Sequence, residues 1–115
     1  MSKDAPPLVS IVLACYIGDS EQSALLEETL GTIREQSFQN YELIVVDDGS
    51  PVDVAAITAK YPQTTTLRQA NAGPAVARNS GIARARGEYF VFIDADDYLL
   101  PGALEASLRA FAEHP

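Results

Sequence analysis

Two short acidic runs carry the residues best suited to chemistry. Asp47-Asp48 precedes Gly49-Ser50, and Asp94-Ala95-Asp96-Asp97 follows an apolar stretch. Carboxylates grouped in this way can hold a hard cation such as Mg2+ or Mn2+, with waters and ligand phosphates completing the shell. In an extended segment residues i and i+2 point to the same side, so Asp94 and Asp96 could share one ion. Taken alone, each run has a plainer explanation. Asp94, Asp96 and Asp97 would form a solvated acidic turn that caps a helix. Asp47 and Asp48 would form a turn before Gly49 and sit well at the next helix N-terminus. The two runs together, each directly after an apolar strand, favour a ligand site. Arg78 lies where it could reach a phosphate or the acids. Tyr16 could stack on a planar base or simply occupy the rim. Arg84 and Arg86 complement a helix C-terminus, and His114 is expected to be exposed and inert.

These residues can act together only if the chain brings them to one edge. Leu8-Val9-Ser10-Ile11-Val12-Leu13-Ala14 is nearly all apolar and predicts a strand buried on both faces. Leu26, Leu30 and Ile33 then fall on one helical face. Leu43-Ile44-Val45-Val46 predicts a second buried strand. Ser50, Pro51 and Asp53 look like a helix start with Ser50 as N-cap and Asp53 completing a capping box. Val54, Ile57 and Tyr61 form the inner face of that helix, and Pro62 ends it. Thr64 to Arg68 is a shorter, β-branched strand. A third helix begins around Asn71-Ala72-Gly73-Pro74, runs through Ile82, and is stopped by Gly87. Tyr89-Phe90-Val91-Phe92-Ile93 is the fourth strand, and Pro101 opens a last helix with Leu104, Leu108 and Phe111 on one face.

The expected order is βαβαβαβα. Strands joined through helices run parallel with right-handed crossovers, which predicts a three-layer open α/β sheet, mainly parallel, with helices covering both faces. Ligands of such sheets bind at the carboxyl ends of the strands, near a switch in strand order. Tyr16, Asp47, Asp48, Asp94, Asp96 and Asp97 all fall at such ends. Five carboxylates meeting there would repel one another unless a cation or protons intervened.

Composition narrows the partners. The chain has 115 residues, 47% hydrophobic and 21% charged, enough apolar material for one core. Eight Lys/Arg against sixteen Asp/Glu give a net charge of −8, which disfavours general binding to nucleic acid or anionic lipid. The single cysteine, Cys15, excludes an internal disulfide framework and a Cys-rich zinc site, and is expected to be a small buried residue. No apolar run approaches the roughly twenty residues of a membrane helix. Residues 1–7 predict a polar tail, residues 8–115 the folded unit, and the setting is expected to be cytoplasmic.

In order along the chain, Val9-Ser10-Ile11-Val12, a long helix ending near Gln36-Ser37-Phe38, Glu42 through Ser50, Asn71-Ala72-Gly73, Ala77-Arg78-Asn79-Ser80-Gly81, Gly87-Glu88-Tyr89 and Phe92 through Asp97 resemble family 2 glycosyltransferases, which have the GT-A fold. The resemblance spans about residues 8–114. It implies a nucleotide-diphosphate sugar donor, most often a UDP-sugar, and Mn2+ or Mg2+. It implies transfer with inversion to an acceptor glycan or lipid-linked saccharide, as in cell-envelope polysaccharide synthesis, and peripheral membrane association of the full-length protein. Carried over by position, Ala14 and Tyr16 lie in the loop flanking the base. Asp48 contacts the base through its ring N–H, Asp47 shapes the same pocket, and Arg78 lies near the base or diphosphate. Asp94 and Asp96 match the DxD motif, with Asp96, the second acid, as the direct metal ligand, Asp94 toward the ribose, and Asp97 as a helper.

Two departures qualify the resemblance. The family commonly has Pro-x-Tyr-Asn after the first strand, whereas this chain has Ala14-Cys15-Tyr16-Ile17. The family's catalytic base and acceptor-binding elements also lie downstream of the DxD. The chain is therefore expected to be the donor-binding part of a longer enzyme, binding the nucleotide but not transferring sugar alone. A fourth strand left as an edge predicts a tendency to dimerise. The main alternative is a sugar-nucleotide-binding or interaction module without transfer. A haloacid-dehalogenase-like phosphatase is disfavoured by Tyr98 two positions after the second acid, and a receiver domain by the lack of a Lys at any strand end.

Overall fold

The computed structural model describes residues 5–113; His114 and the first four residues of the predicted tail lie outside them. The elements alternate as expected: β1 (Val9–Cys15), α1 (Ser20–Arg34), β2 (Tyr41–Asp47), α2 (Val54–Thr58), β3 (Thr64–Arg68), α3 (Pro74–Arg84), β4 (Tyr89–Asp94) and α4 (Ala103–Glu113). All pairings are parallel, and the strand order is β3-β2-β1-β4.

This order follows from the direction of the crossovers. The chain steps one way from β1 to β3, then crosses back beyond β1 to place β4. Right-handed crossovers running in opposite directions put their helices on opposite faces. The apolar residues sort accordingly. Ile11, Leu13, Leu43 and Val45 pack with Leu26, Leu30 and Ile33 of α1, Val54 of α2 and Leu104 of α4. On the other face Ile44 and Val46 pack with Ala77 of α3. The strand alternation therefore feeds two cores, which is why β1 and β2 read as nearly continuous apolar runs.

The second face is thin because α3 lies very close to the sheet. A Cβ on Gly81 would fall 2.5 Å from a Val12 methyl, so only glycine permits this approach. The helix packs on β1 and β2 and leaves the same face of β4 uncovered. Phe90 and Phe92 are 39% and 50% exposed there, so the expected burial of both faces holds for β1 and β2, while β3 is half-buried and β4 is open on this face.

Three expected boundaries also move. Residues 50–53 do not begin α2; Asp53 is the N-cap, accepting from the Ala56 N–H at 3.2 Å. Ser50 is buried instead, its hydroxyl accepting the Ile17 N–H at 2.8 Å. The third helix ends at Arg84, and Gly87 does not stop it. Gly87 lets the chain pass Ser10, where a Cβ would come within 2.7 Å of the Ser10 backbone nitrogen. The last helix starts at Ala103, two residues after Pro101.

Candidate functional site

In the order β3-β2-β1-β4, the carboxyl ends of β1 and β4 flank the point where the chain reverses direction, the usual position of a ligand crevice. Ala14, next to last in β1, is paired with Val46 on one side and Asp94 on the other. Its small side chain lines three cavities. One of about 200 Å3 reaches Tyr16, Asp48, Pro74 and Ala77. One of about 350 Å3 reaches Arg78, Asn79, Phe92 and Asp94. The third, about 250 Å3, lies toward Tyr16, Gln22, Leu25 and Asp96.

The five acids do not form a single cluster. Among the described residues no three His, Cys, Asp or Glu are arranged to hold a metal ion together. Asp47 turns inward, its side chain 3% exposed. One carboxylate oxygen accepts the Ser50 N–H at 2.8 Å; the other accepts from Arg68 Nη1 at 2.6 Å. Arg68 also donates to the Ser50 carbonyl at 2.9 Å. This bracing holds residues 47–50 as a turn and explains why Ser50 cannot start the helix.

Asp48 faces the other way, into the cleft. Its Oδ1 accepts from Gln69 Nε2 at 3.0 Å and from the Ala72 N–H at 2.8 Å, and its Oδ2 from the Gly73 N–H at 3.0 Å. The Ala72 N–H, then Gln69 and Gly73, hold its pKa below the ordinary carboxylate value against the opposing effect of burial. Asn71 Nδ2 donates to the Asp48 carbonyl at 3.1 Å. Gly49 (φ +82°) and Gly73 (φ +99°) supply left-handed backbone at the two turns that meet here, and a Cβ on Gly49 would press on Asn71.

Asp94 ends β4, and the chain turns at once. The Asp97 N–H donates to the Asp94 carbonyl at 3.1 Å, and the Asp94 N–H to Asp97 Oδ2 at 3.0 Å. Asp94 and Asp96 therefore sit on a closed turn, and the alternation of an extended strand does not align them. All three carboxylates are exposed. Among the described residues those of Asp94 and Asp96 accept no protein hydrogen bond. Two such free carboxylates suit an ion that takes one or two protein oxygens and completes its shell with phosphates and water, and do not suit an all-protein cage.

Tyr16 is 53% exposed at the rim. Arg78, early in α3, makes no ion pair among the described residues and lines the cavity that holds Asp94. Arg86 lies beyond α3 and pairs with Glu42 at 3.8 Å, away from the cleft. Cys15 is buried, its thiol pushed up to about 12 by burial first and then by Asp47 and Asp48. A thiol so protonated is no nucleophile at neutral pH.

The sequence pattern missed the residues that hold these groups. Arg68 ends the weak third strand and Gln69 follows it. Thr29 and Thr32 of α1 and Gln36, two residues past its end, form a polar stripe, and their i, i+3, i+7 spacing was the available signal.

A family model described as "Glycosyl transferase family 2" matches residues 10–115. The chain is 36% identical over 109 residues to the uncharacterized glycosyltransferase YibD of Escherichia coli (91% of this chain, 30% of that protein). It is 36% identical over 97 residues to the uncharacterized glycosyltransferase EpsJ of Bacillus subtilis (81% and 27%). S. aureus TarS 1-349 in complex with UDP-GlcNAc superposes with a TM-score of 0.84 at 27% identity, over 93% of this chain and 32% of that one. The mannosyltransferase PcManGT of Pyrobaculum calidifontis, in complex with GDP-Man and Mn2+, does so with a TM-score of 0.77 at 26% identity (97% and 34%). The chain thus spans about a third or less of the length of these proteins.

Proposed function

The chain belongs to glycosyl transferase family 2, and from that premise we propose that its cleft binds a nucleoside-diphosphate sugar, with UDP as the expected nucleotide, for inverting transfer to a saccharide hydroxyl. The observation that carries this is the Asp48 carboxylate, held ionised by Gln69 and the Ala72 and Gly73 N–H groups beside a cavity edged by Tyr16. An ionised carboxylate is acceptor-only. It selects a base that presents a ring N–H, as uracil and guanine do, over adenine or cytosine. The UDP-GlcNAc and GDP-Man complexes of the two similar structures agree with that chemistry.

Each remaining residue then has a task. Tyr16 stacks on the base, and Ala14 leaves the floor open. Arg78, free of ion pairs among the described residues, meets the diphosphate, and Asp94 takes a ribose hydroxyl. Asp96, with Asp94 beside it, would hold Mn2+ or Mg2+ together with phosphate oxygens. A metal bound there offsets the charge on the departing diphosphate. Asp47 contributes from behind by keeping the 47–50 turn in place, and Asp97 by closing the turn under Asp94. The base that deprotonates the acceptor is not assigned to any residue of this chain. No helix among the described residues is long and apolar enough to cross a membrane. Pairing of two copies through β4, which has only β1 beside it among the described residues, remains a proposal for sedimentation velocity to decide.

Titration calorimetry of UDP, with Mn2+ and with EDTA, tests the central claim. Binding strengthened by Mn2+ and reduced to the metal-free level in Asp96→Ala is expected. No binding by a folded wild-type chain under either condition would refute the assignment.

A further inference from the structure

Residues 95–102 connect β4 to α4 with no strand or helix of their own, so side chains must hold their backbone. Most of that hold comes from α1. Thr29 is fully buried in the middle of α1. A buried hydroxyl is costly unless bonded, and its methyl-bearing shape could be supplied by valine, so the hydroxyl has a polar task. Its Oγ1 lies 2.6 Å from the Asp97 carbonyl and 2.8 Å from the Ala95 carbonyl, against 3.1 Å to the Leu25 carbonyl one turn back in its own helix. The two nearer carbonyls are those on either side of Asp96.

We propose that Thr29 is a positioning residue for the Asp96 carboxylate, its one hydroxyl proton shared between the Ala95 and Asp97 carbonyls so that both neighbours of Asp96 are held to α1 and the residue between them projects into the cleft. The inference rests on Asp96 being the metal-binding residue of the proposed function. With Ala95 and Asp97 drawn toward the helix, Asp96 is left exposed. The rest of the stripe holds the segment further on. Thr32 Oγ1 accepts the Leu99 N–H at 3.1 Å, and Gln36 donates to the Leu100 carbonyl at 2.9 Å while accepting the Leu104 N–H at 3.2 Å. Gln36 thus anchors the same segment without touching the peptides next to Asp96, and supplies an internal control.

The test measures UDP affinity with Mn2+ and with EDTA for the wild-type chain, Thr29→Val, Thr29→Ser and Gln36→Leu. Amide hydrogen exchange in the 94–97 turn is followed in parallel. In Thr29→Val, affinity in EDTA should stay near wild type, while the gain from Mn2+ falls about tenfold, the size expected when a ligand's supporting contact is removed. Turn amides should exchange faster. Thr29→Ser keeps the hydroxyl and should restore the Mn2+ gain. Gln36→Leu should lower the melting temperature and keep the gain. A Thr29→Val chain with the full Mn2+ gain overturns the inference alone. So does equal loss of gain in Gln36→Leu, since the effect would then be general loosening. A wild-type chain with no Mn2+ gain overturns the metal assignment itself, and this inference with it.

Discussion

The two sides of the cleft present carboxylates in opposite ways. On the β2 side, Asp48 is nearly buried, and three donors fix it and keep it charged. On the β4 side, Asp94 and Asp96 are exposed and their side chains accept nothing from the described protein; only the backbone beneath them is held, by the Asp97 side chain and by Thr29. A carboxylate meant to read a fixed donor gains from being prepaid in orientation, since the ligand then meets no reorganisation cost. One meant to share a cation with a ligand must keep its oxygens free. Under the proposed function, this contrast separates recognition from charge neutralisation within a single cleft.

The largest expected effect comes from exchanging the two losses. Asp48→Ala should weaken UDP binding by roughly 10- to 100-fold, as for loss of a charged hydrogen-bond partner, equally with Mn2+ and with EDTA. It should also lower the melting temperature, because Gln69 and the Ala72 and Gly73 N–H groups lose their acceptor. Asp96→Ala should remove only the Mn2+ gain and leave the melting temperature unchanged. Equal behaviour of the two variants would erase the distinction.

A smaller effect follows from pH. The pKa of Asp48 is lower in the folded chain than in the unfolded one, so its contribution to stability is present above the ordinary carboxylate range and is lost as pH falls through the folded value. Urea midpoints between neutral pH and about pH 3 should drop less steeply in Asp48→Asn than in wild type. An Asp48→Asn curve as steep as wild type would show that the bonds to Asp48 carry none of the acid sensitivity.

The smallest effect reads the field of the β2 side directly. Cys15, at the end of β1, has its thiol pushed up to about 12, in part by Asp47 and Asp48. Alkylation by iodoacetamide at mildly alkaline pH should be slow. It should quicken modestly in Asp48→Asn and not at all in Asp96→Asn. Rapid alkylation of the wild-type chain would show that the thiol is neither buried nor next to those charges.

Much of the fold was legible because the signals are local. The apolar runs of β1 and β2, the Leu26-Leu30-Ile33 face and the acids at strand ends all depend on neighbours a few residues away. The boundary at Ser50 was misplaced because its hydroxyl and N–H are claimed by Ile17 and Asp47, and no capping rule sees a partner 33 residues distant. Gly87 looked like a helix stop for the same reason, since its actual constraint is Ser10 on another strand. Asp94 and Asp96 were placed on an extended segment, but the strand ends at the first of them.

The sequence by itself determined the alternation of strands and helices, the family, and which acids would stand at strand ends, because periodicity and motif order are written along the chain. The tertiary structure alone decided that β4 returns beside β1, that Asp47 turns in while Asp48 turns out, and that Thr29 reaches a turn 66 residues away. Those outcomes depend on which surfaces meet once the crossovers reverse. Hydrogen bonds between distant segments then choose the direction of each side chain.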